Sequence, residues 1–163
     1  FIFILGGIDR MDSIVFSQLA LNRSRTLAVV AELSEKTADV VPNGFNNNIR
    51  WHLGHILTTQ ERLAFRLLGE PLELPEELTS LFVNGTKPAD WQTSPPDLAA
   101  LRQLLEEQPE RHRQRLQGRL NDKLTVAFKE FTRLDEVLVF SIGHEATHAG
   151  YIMALKKAVA AQS

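Results

Sequence analysis

Residues 132–158 read TRLDEVLVFSIGHEATHAGYIMALKKA, and apolar residues recur in this segment every three or four positions. This period is typical of an amphipathic α-helix. We predict a helix from near Thr132 to about Ala158, with Asp135 as a capping-box partner three residues after its start. One face of this helix carries both apolar residues and histidines: Val137, Phe140, Ser141, His144, His148, Tyr151 and Leu155.

The two histidines of this face are four residues apart, so their rings are expected to lie one helical turn apart. Because the face is otherwise apolar, His144 and His148 should point into a protein core. Neutral imidazole binds zinc, nickel, copper and iron, and two stacked rings can hold one cation. The alternative is two core histidines that are each satisfied by a hydrogen bond. The residues alone leave both interpretations open.

Three more amphipathic helices are predicted upstream. The first runs from about Asp12 to Leu33, and the second begins after Asn47 or Asn48 and ends before Gly69. Residues 70–93 form a long crossover. Four such helices with one long crossover predict an all-α four-helix bundle.

The third helix follows Ser94-Pro95-Pro96-Asp97, which offers an N-cap, a proline for the first turn and an acid. Pro109 should kink or interrupt this helix, because proline has no backbone N–H. Residues 121–131 alternate weakly between apolar and polar, and we predict a short hairpin there.

The 163-residue chain suits one domain, which we assign to residues 11–163. Residues 1–10 are taken as a leader or cloning remnant without a role, and Phe1–Ile8 is too short to span a membrane. The chain has no cysteine, which excludes disulfides and thiolate ligands and fits a soluble, cytoplasmic protein. A net charge of −2 without a basic cluster gives no indication of a nucleic-acid partner.

A metal site needs a third ligand, and three other histidines are available. His112 lies in the charged run ERHRQR, so we expect it to be solvated and without a role. His52 and His55 lie on the second helix. Periodicity slightly favours His52, which is closer to the apolar stripe of that helix, but spacing does not decide between them.

Residues 144–148 also match the pattern HExxH of zinc proteases, in which the glutamate is the general base. Only fifteen residues follow His148, and none of them is His, Asp or Glu. The third ligand and the substrate-binding strand of such proteases therefore have no source here. Glu145 lies about a quarter turn from the histidine stripe, so we expect a helix-surface group or one that supports a ligand.

Two motifs together resemble the DinB/YfiT superfamily. Residues 47–56, NNIRWHLGHI, are similar to the second-helix motif of that family, and residues 144–152, HEATHAGYI, to its fourth-helix motif. The resemblance covers about residues 12–158. It implies a four-helix bundle that holds a divalent metal ion, nickel or zinc in many members, on three histidines.

Carried over by position, the resemblance implies that the metal ligands are His55, His144 and His148. It therefore favours His55 over His52. The family often has HHRGQ around the last ligand, whereas residues 147–151 here are THAGY, so the surrounding cavity should differ.

A three-histidine centre can lower the pKa of bound water or bind a thiol as its thiolate. The resemblance implies a metal-dependent thiol S-transferase, using a low-molecular-weight thiol, or a hydrolase, acting on a small molecule in a homodimer. Helical phase near the ligands suggests Trp51, Thr59 and Tyr151 as substrate-binding residues; the catalytic acid or base is not assigned. The alternatives are a non-catalytic, stress-linked metal-binding bundle and a bundle without metal.

Overall fold

A computed structural model of the chain describes residues 10–162. These residues form six α-helices and two strands, in the order α1 (Arg10–Val29), α2 (Glu35–Asp39), α3 (Ile49–Phe65), α4 (Glu76–Thr79), α5 (Leu98–Leu116), β1 (Lys123–Phe128), β2 (Phe131–Arg133) and α6 (Leu134–Ala161). Three short 3₁₀ turns lie between α3 and α5, at Arg66–Leu68, Ser80–Phe82 and Pro88–Asp90. The predicted leader at residues 1–10 lies outside the described residues except for Arg10.

The four long helices α1, α3, α5 and α6 pack as a bundle, because α1 contacts α5 and α6, and α3 contacts the same two helices. The predicted all-α four-helix bundle is confirmed. Between the helices lie fully buried aliphatic side chains, among them Leu53, Leu57, Leu101, Leu105, Ile152 and Leu155. Within residues 10–162, no helix is long and apolar enough to cross a membrane.

The ends of two helices differ from the prediction. The first helix stops at Val29 rather than Leu33, and Ser34 then caps the short α2 by accepting a hydrogen bond from the Thr37 N–H at 3.1 Å. The last helix begins at Leu134, and its capping carboxylate belongs to Glu136 rather than Asp135. Glu136 accepts hydrogen bonds from the backbone N–H groups of residues 132 and 133 at 2.7 and 2.9 Å.

Helix α5 is capped by Asp97, not Ser94, and it continues through Pro109 to Leu116. The predicted interruption is absent for a local reason. Pro109 leaves the carbonyl of Leu105, four residues earlier, without its helical donor. The Arg23 guanidinium of α1 donates to that carbonyl at 2.6 Å, so the buried oxygen keeps a partner.

The predicted hairpin is present, with β1 and β2 paired antiparallel. It lies against the 3₁₀ turn at Arg66–Leu68, and β2 leads directly into α6. Phe128 and Phe131 of the hairpin cluster with Phe140 of α6, at ring-centroid distances of 5.4 and 5.8 Å from it. The hairpin therefore covers the side of the bundle where α3 and α6 meet.

A buried ion pair joins α1 to α6. The Arg23 Nε lies 2.8 Å from Glu145 Oε1, and both side chains are 2% exposed. The Thr26 hydroxyl donates to the same carboxylate at 2.8 Å. The expectation that Glu145 is a helix-surface group is wrong, because the side chain turns into the bundle towards an arginine on another helix.

A second buried network joins α3 to α5. His112 is fully buried, and its Nε2 lies 3.0 Å from the carboxylate of Glu61, which also accepts a hydrogen bond from Arg111. The expectation of a solvated His112 is wrong. The neighbours of His112 along the chain are charged, but its own position on α5 faces the bundle, where Glu61 provides its partner.

Candidate metal centre

Helix α3 brings two histidines into the interior. Asn48 caps the helix by accepting a hydrogen bond from the Trp51 N–H at 2.8 Å, which confirms one of the two predicted caps. Nearly every side chain of α3 is buried, because the helix contacts α5, α6 and the long crossover. His52 is 4% exposed and His55 is 6% exposed.

The structure brings His55 of α3 next to His144 and His148 of α6. One ring nitrogen of each residue lies within 4.8 Å of one from each of the others, a grouping that could hold a metal ion. His55 Nε2 and His144 Nε2 are 3.2 Å apart. Two nitrogens bound to one tetrahedral zinc ion lie about 3.3 Å apart, given Zn–N bonds of about 2.0–2.1 Å. The chemistry of the three donors, and the spacing of this pair of nitrogens, therefore fit a divalent metal ion.

The carbonyl of Phe82 determines which nitrogen of His55 is free. His55 Nδ1 lies 2.6 Å from that oxygen, which can only accept a hydrogen bond. The proton is therefore on Nδ1, and Nε2, which faces His144, keeps its lone pair. A backbone carbonyl that orients a ligating histidine in this way is a common feature of metal sites.

Gly54 allows this contact to form. A Cβ atom at this position would overlap the ring of Phe82, which is fully buried against α3. The crossover can therefore approach α3 closely at this point. The position of the Phe82 carbonyl, and with it the tautomer of His55, depends on the absence of a side chain at residue 54.

His52 lies beside the three grouped histidines and contacts one of them. Its Nδ1 is 2.8 Å from Nδ1 of His148. If His148 binds a metal ion through Nε2, its Nδ1 carries the proton and donates to His52. His52 is thus placed to orient the ring of His148. The ring nitrogens of His55, in contrast, lie in one group with those of His144 and His148.

Four of the histidines are held neutral by burial, which lowers the pKa of each below its ordinary value. The pKa of His144 is lowered to about 4 and that of His148 to about 3, in each case by burial first and then by neighbouring histidines. Burial also lowers the pKa of His52 to about 4, and it lowers that of His55 against the opposing effect of the Phe82 carbonyl. Neutral imidazole is the form that binds metals.

The three residues suggested for substrate binding occupy different positions. Trp51 stacks on His55 with ring centroids 4.5 Å apart and is 4% exposed, so it forms a wall of the centre. Thr59 lies one turn beyond His55 and borders a cavity with it. Tyr151 is 48% exposed, and it stacks on His52. Contact with a substrate stays a prediction for all three.

Comparison with known proteins identifies the family. Residues 18–152 match the model of the DinB superfamily. The chain belongs to the DinB superfamily. The match covers both histidine motifs, so the resemblance seen in the sequence is confirmed.

One solved structure similar to this DinB protein is a conserved protein from Enterococcus faecalis. The TM-score is 0.66 with 14% sequence identity, and the alignment covers 91% of this chain and 96% of the other. At this identity, the similarity supports the shared fold. No curated protein matches the sequence.

Sequence reasoning did not single out Arg62, which lies seven residues after His55 on α3 and borders the same cavity. The spacing of seven, two helical turns, was the available signal, because it places both residues on one face. An arginine near the end of a helix is ordinarily a surface residue, so only the packing of the crossover and hairpin around α3 reveals this position.

Proposed function

We propose that this DinB protein is a metal-dependent enzyme that activates a thiol or a water molecule on His55, His144 and His148. The reaction classes are thiol S-transfer and hydrolysis of a small molecule. The observation that carries the proposal is the grouping of these three neutral imidazoles, with His55 Nε2 kept unprotonated by the Phe82 carbonyl.

Nickel and zinc are the ions that we propose, since both accept imidazole ligands. A divalent ion on three neutral ligands keeps its charge uncompensated and would supply a nucleophile at neutral pH. The chain's own residues hold the ligands in place: Phe82 orients His55, and His52 orients His148. Trp51 covers one side of His55 and restricts the access of water.

The packing of Glu145 argues against a protease-like role for residues 144–148. The carboxylate of Glu145 is buried and bound by Arg23 and Thr26 on α1. A general base must reach the water or substrate at the metal. Glu145 is instead committed to the packing of α6 on α1, so its role is structural.

The metal content of the protein tests this site directly. Untagged protein is expected to bind about one divalent ion per chain, and the triple variant His55→Ala/His144→Ala/His148→Ala to bind none, as measured by elemental analysis after dialysis. At a free ion concentration about 100 times the Kd, binding should stabilise the fold by about 2.7 kcal/mol. A chelator-sensitive rise in Tm should therefore appear for the wild type and not for the triple variant.

A wild-type chain without stoichiometric metal would refute the metal site. For loaded protein, low-molecular-weight thiols with electrophiles test thiol transfer, and ester and amide substrates test hydrolysis. Turnover that disappears in the triple variant would support the enzyme. Bound metal without turnover in either set would favour the alternative of a non-catalytic metal-binding bundle.

A further inference from the structure

A cavity of about 440 Å³ adjoins His55 between α3, the crossover and the hairpin. Three residues of α3 border it in one line, His55, Thr59 and Arg62, which are four and three residues apart. The Thr59 hydroxyl is 3.4 Å from His55 Nε2, so this end of the cavity opens directly at the nitrogen that the metal site would use. Arg62 lies at the other end.

Arg62 is a half-buried residue, and its side chain has no ion pair and no hydrogen bond among the described residues. Other arginines with little exposure are paired: the buried Arg50 with Glu35 and Asp39, and the partly buried Arg115 with Glu70. Burial, and then the nearby charge of Arg66, lowers the pKa of Arg62, and Glu76 opposes that effect. Arginine nevertheless keeps its proton, so a cation without an ion pair borders the cavity. Arg62 also borders a neighbouring cavity, which Arg66 and Glu76 line.

A second polar group of the cavity wall also lacks a partner. Thr58 is fully buried, and its hydroxyl oxygen makes no hydrogen bond within residues 10–162. Buried hydroxyl groups normally have partners. The remaining wall is partly apolar, with Leu63, Val83 and Phe128. The cavity therefore offers a cation and a free hydroxyl group beside apolar surface.

From these observations we propose that Arg62 binds the carboxylate of the substrate, and that the substrate is a short carboxylic acid whose thiol or scissile group lies at the histidine centre. This inference deepens the proposed function and rests on it for the reacting end. Recognition of carboxylates by arginine is charge-assisted and directional.

The spacing sets the size of this substrate. Seven residues of helix place the Cα atoms of His55 and Arg62 about 10 Å apart along the axis. Helical side chains all lean towards the N-terminus, so the lean shifts His55 and Arg62 alike and leaves them about 10 Å apart along the axis. A distance of this order is spanned by a small molecule, which favours a short acid over a polymer.

The test pairs two ligands of equal length, 3-mercaptopropionate and 3-mercaptopropanol, and two variants, Arg62→Gln and Arg66→Gln. Arg66 is the matched control because it is an arginine one turn later that does not border this cavity. With cobalt-loaded protein, thiolate-to-metal absorbance gives the Kd of each thiol. Wild type and Arg66→Gln should prefer the acid by about tenfold or more, and Arg62→Gln should lose that preference.

A second measurement is independent of the metal. In metal-free protein, the Nε–H resonance of Arg62 should shift on titration with propionate and not with propanol. Absence of that shift, or a preference for the acid that persists in Arg62→Gln, would overturn the inference. Loss of cobalt binding with a retained propionate shift would instead refute the metal centre and leave the carboxylate site standing, so the two failures are distinguishable.

Discussion

His52 and His55 lie three residues apart on α3 and are similarly buried, yet their ring nitrogens have different neighbours. His55 Nε2 faces His144, whereas His52 Nδ1 faces Nδ1 of His148. We therefore predict that His55→Ala abolishes stoichiometric metal binding. His52→Ala should retain one ion per chain with an affinity lower by about 10–100-fold, the usual effect of removing a partner of a ligand.

Isothermal titration with nickel or zinc measures both effects, and circular dichroism checks that each variant is folded. The opposite pattern, with binding lost in His52→Ala and kept in His55→Ala, would assign the third ligand to His52.

Gly54 and Gly143 provide a matched pair of helical glycines. A Cβ at residue 54 would overlap the Phe82 ring, whereas a Cβ at residue 143 meets no atom within 4 Å. Gly54→Ala should destabilise the fold by about 1–3 kcal/mol through overpacking and should weaken metal binding, because the Phe82 carbonyl must move. Gly143→Ala should stabilise the fold by about 0.5–1 kcal/mol.

Urea unfolding measures the free energy of unfolding of each variant, and metal titration measures the change in metal affinity. Equal stability of the two variants would show that the crossover yields without strain and that Gly54 does not control the position of the Phe82 carbonyl.

At the residue level, the sequence predicted the histidines that converge, but it misassigned His112 and Glu145. His144 and His148 were predictable because two histidines four residues apart on an apolar stripe can be recognised from the sequence of a single helix. The burial of His112 was not predictable, because it depends on Glu61 of another helix. The same limit applies to Glu145, whose partner Arg23 is 122 residues away.

Helix α6 presents a different chemistry on each of two faces. One face carries His144 and His148 towards α3, and the other inserts Glu145 against Arg23 of α1. Glu145→Ala would leave the Arg23 guanidinium buried without its carboxylate, and the loss of one partner of a buried pair typically costs about 3–5 kcal/mol. We expect the free energy of unfolding in urea to fall by about that amount.

Glu110→Ala is the control. Glu110 lies on α5 and forms an exposed ion pair with Arg113, which is one turn later on that helix. Its effect on the free energy of unfolding should be small. If Glu145→Ala were as mild as this control, the pair would not fix α6 against α1.

Among the elements, the long helices and the hairpin were predictable, since periodicity accumulates over many residues. The short α2 and α4 were not, because helices of this length depend on tertiary contacts rather than on their own propensity. The continuous α5 was also missed, since the rule for Pro109 is local and the rescuing donor, Arg23, is not.

For the whole molecule, we predict that the metal-free chain loses stability as the pH falls below about 6.5, the ordinary pKa of histidine. All five histidines have a pKa lowered by burial, so the unfolded chain binds more protons than the folded one in this range. For His52, His144 and His148, whose pKa values are lowered to about 4, 4 and 3, each imidazole that stays neutral at a pH of about 5 costs up to roughly 2 kcal/mol relative to the unfolded state. The contribution of the neutral histidines to the free energy of unfolding is therefore fully present above the pKa of histidine in the unfolded chain, and it is lost as the pH falls below that value.

Glu61 extends the loss to lower pH. Burial raises its pKa, but hydrogen bonds from His112 and Gln108 and the charge of Arg111 outweigh burial and lower it to about 2. Its contribution disappears between about pH 4.5 and 2.

Urea unfolding in chelator at neutral pH and at about pH 5 measures this effect. The triple histidine variant should show a smaller difference between the two pH values than the wild type. Equal wild-type stability at both would show that the buried histidines do not resist protonation in the folded chain.

The contact between Arg23 and the Leu105 carbonyl also bears on how this sequence could have arisen. A chain with Arg23 and an ordinary residue at 109 keeps its helical hydrogen bond, whereas a chain with Pro109 and no arginine leaves a buried carbonyl unpaired. Pro109 therefore costs less stability in a chain that already has Arg23 than in one that lacks it. Once the proline is present, loss of the arginine carries a penalty that it would not carry with an ordinary residue at 109.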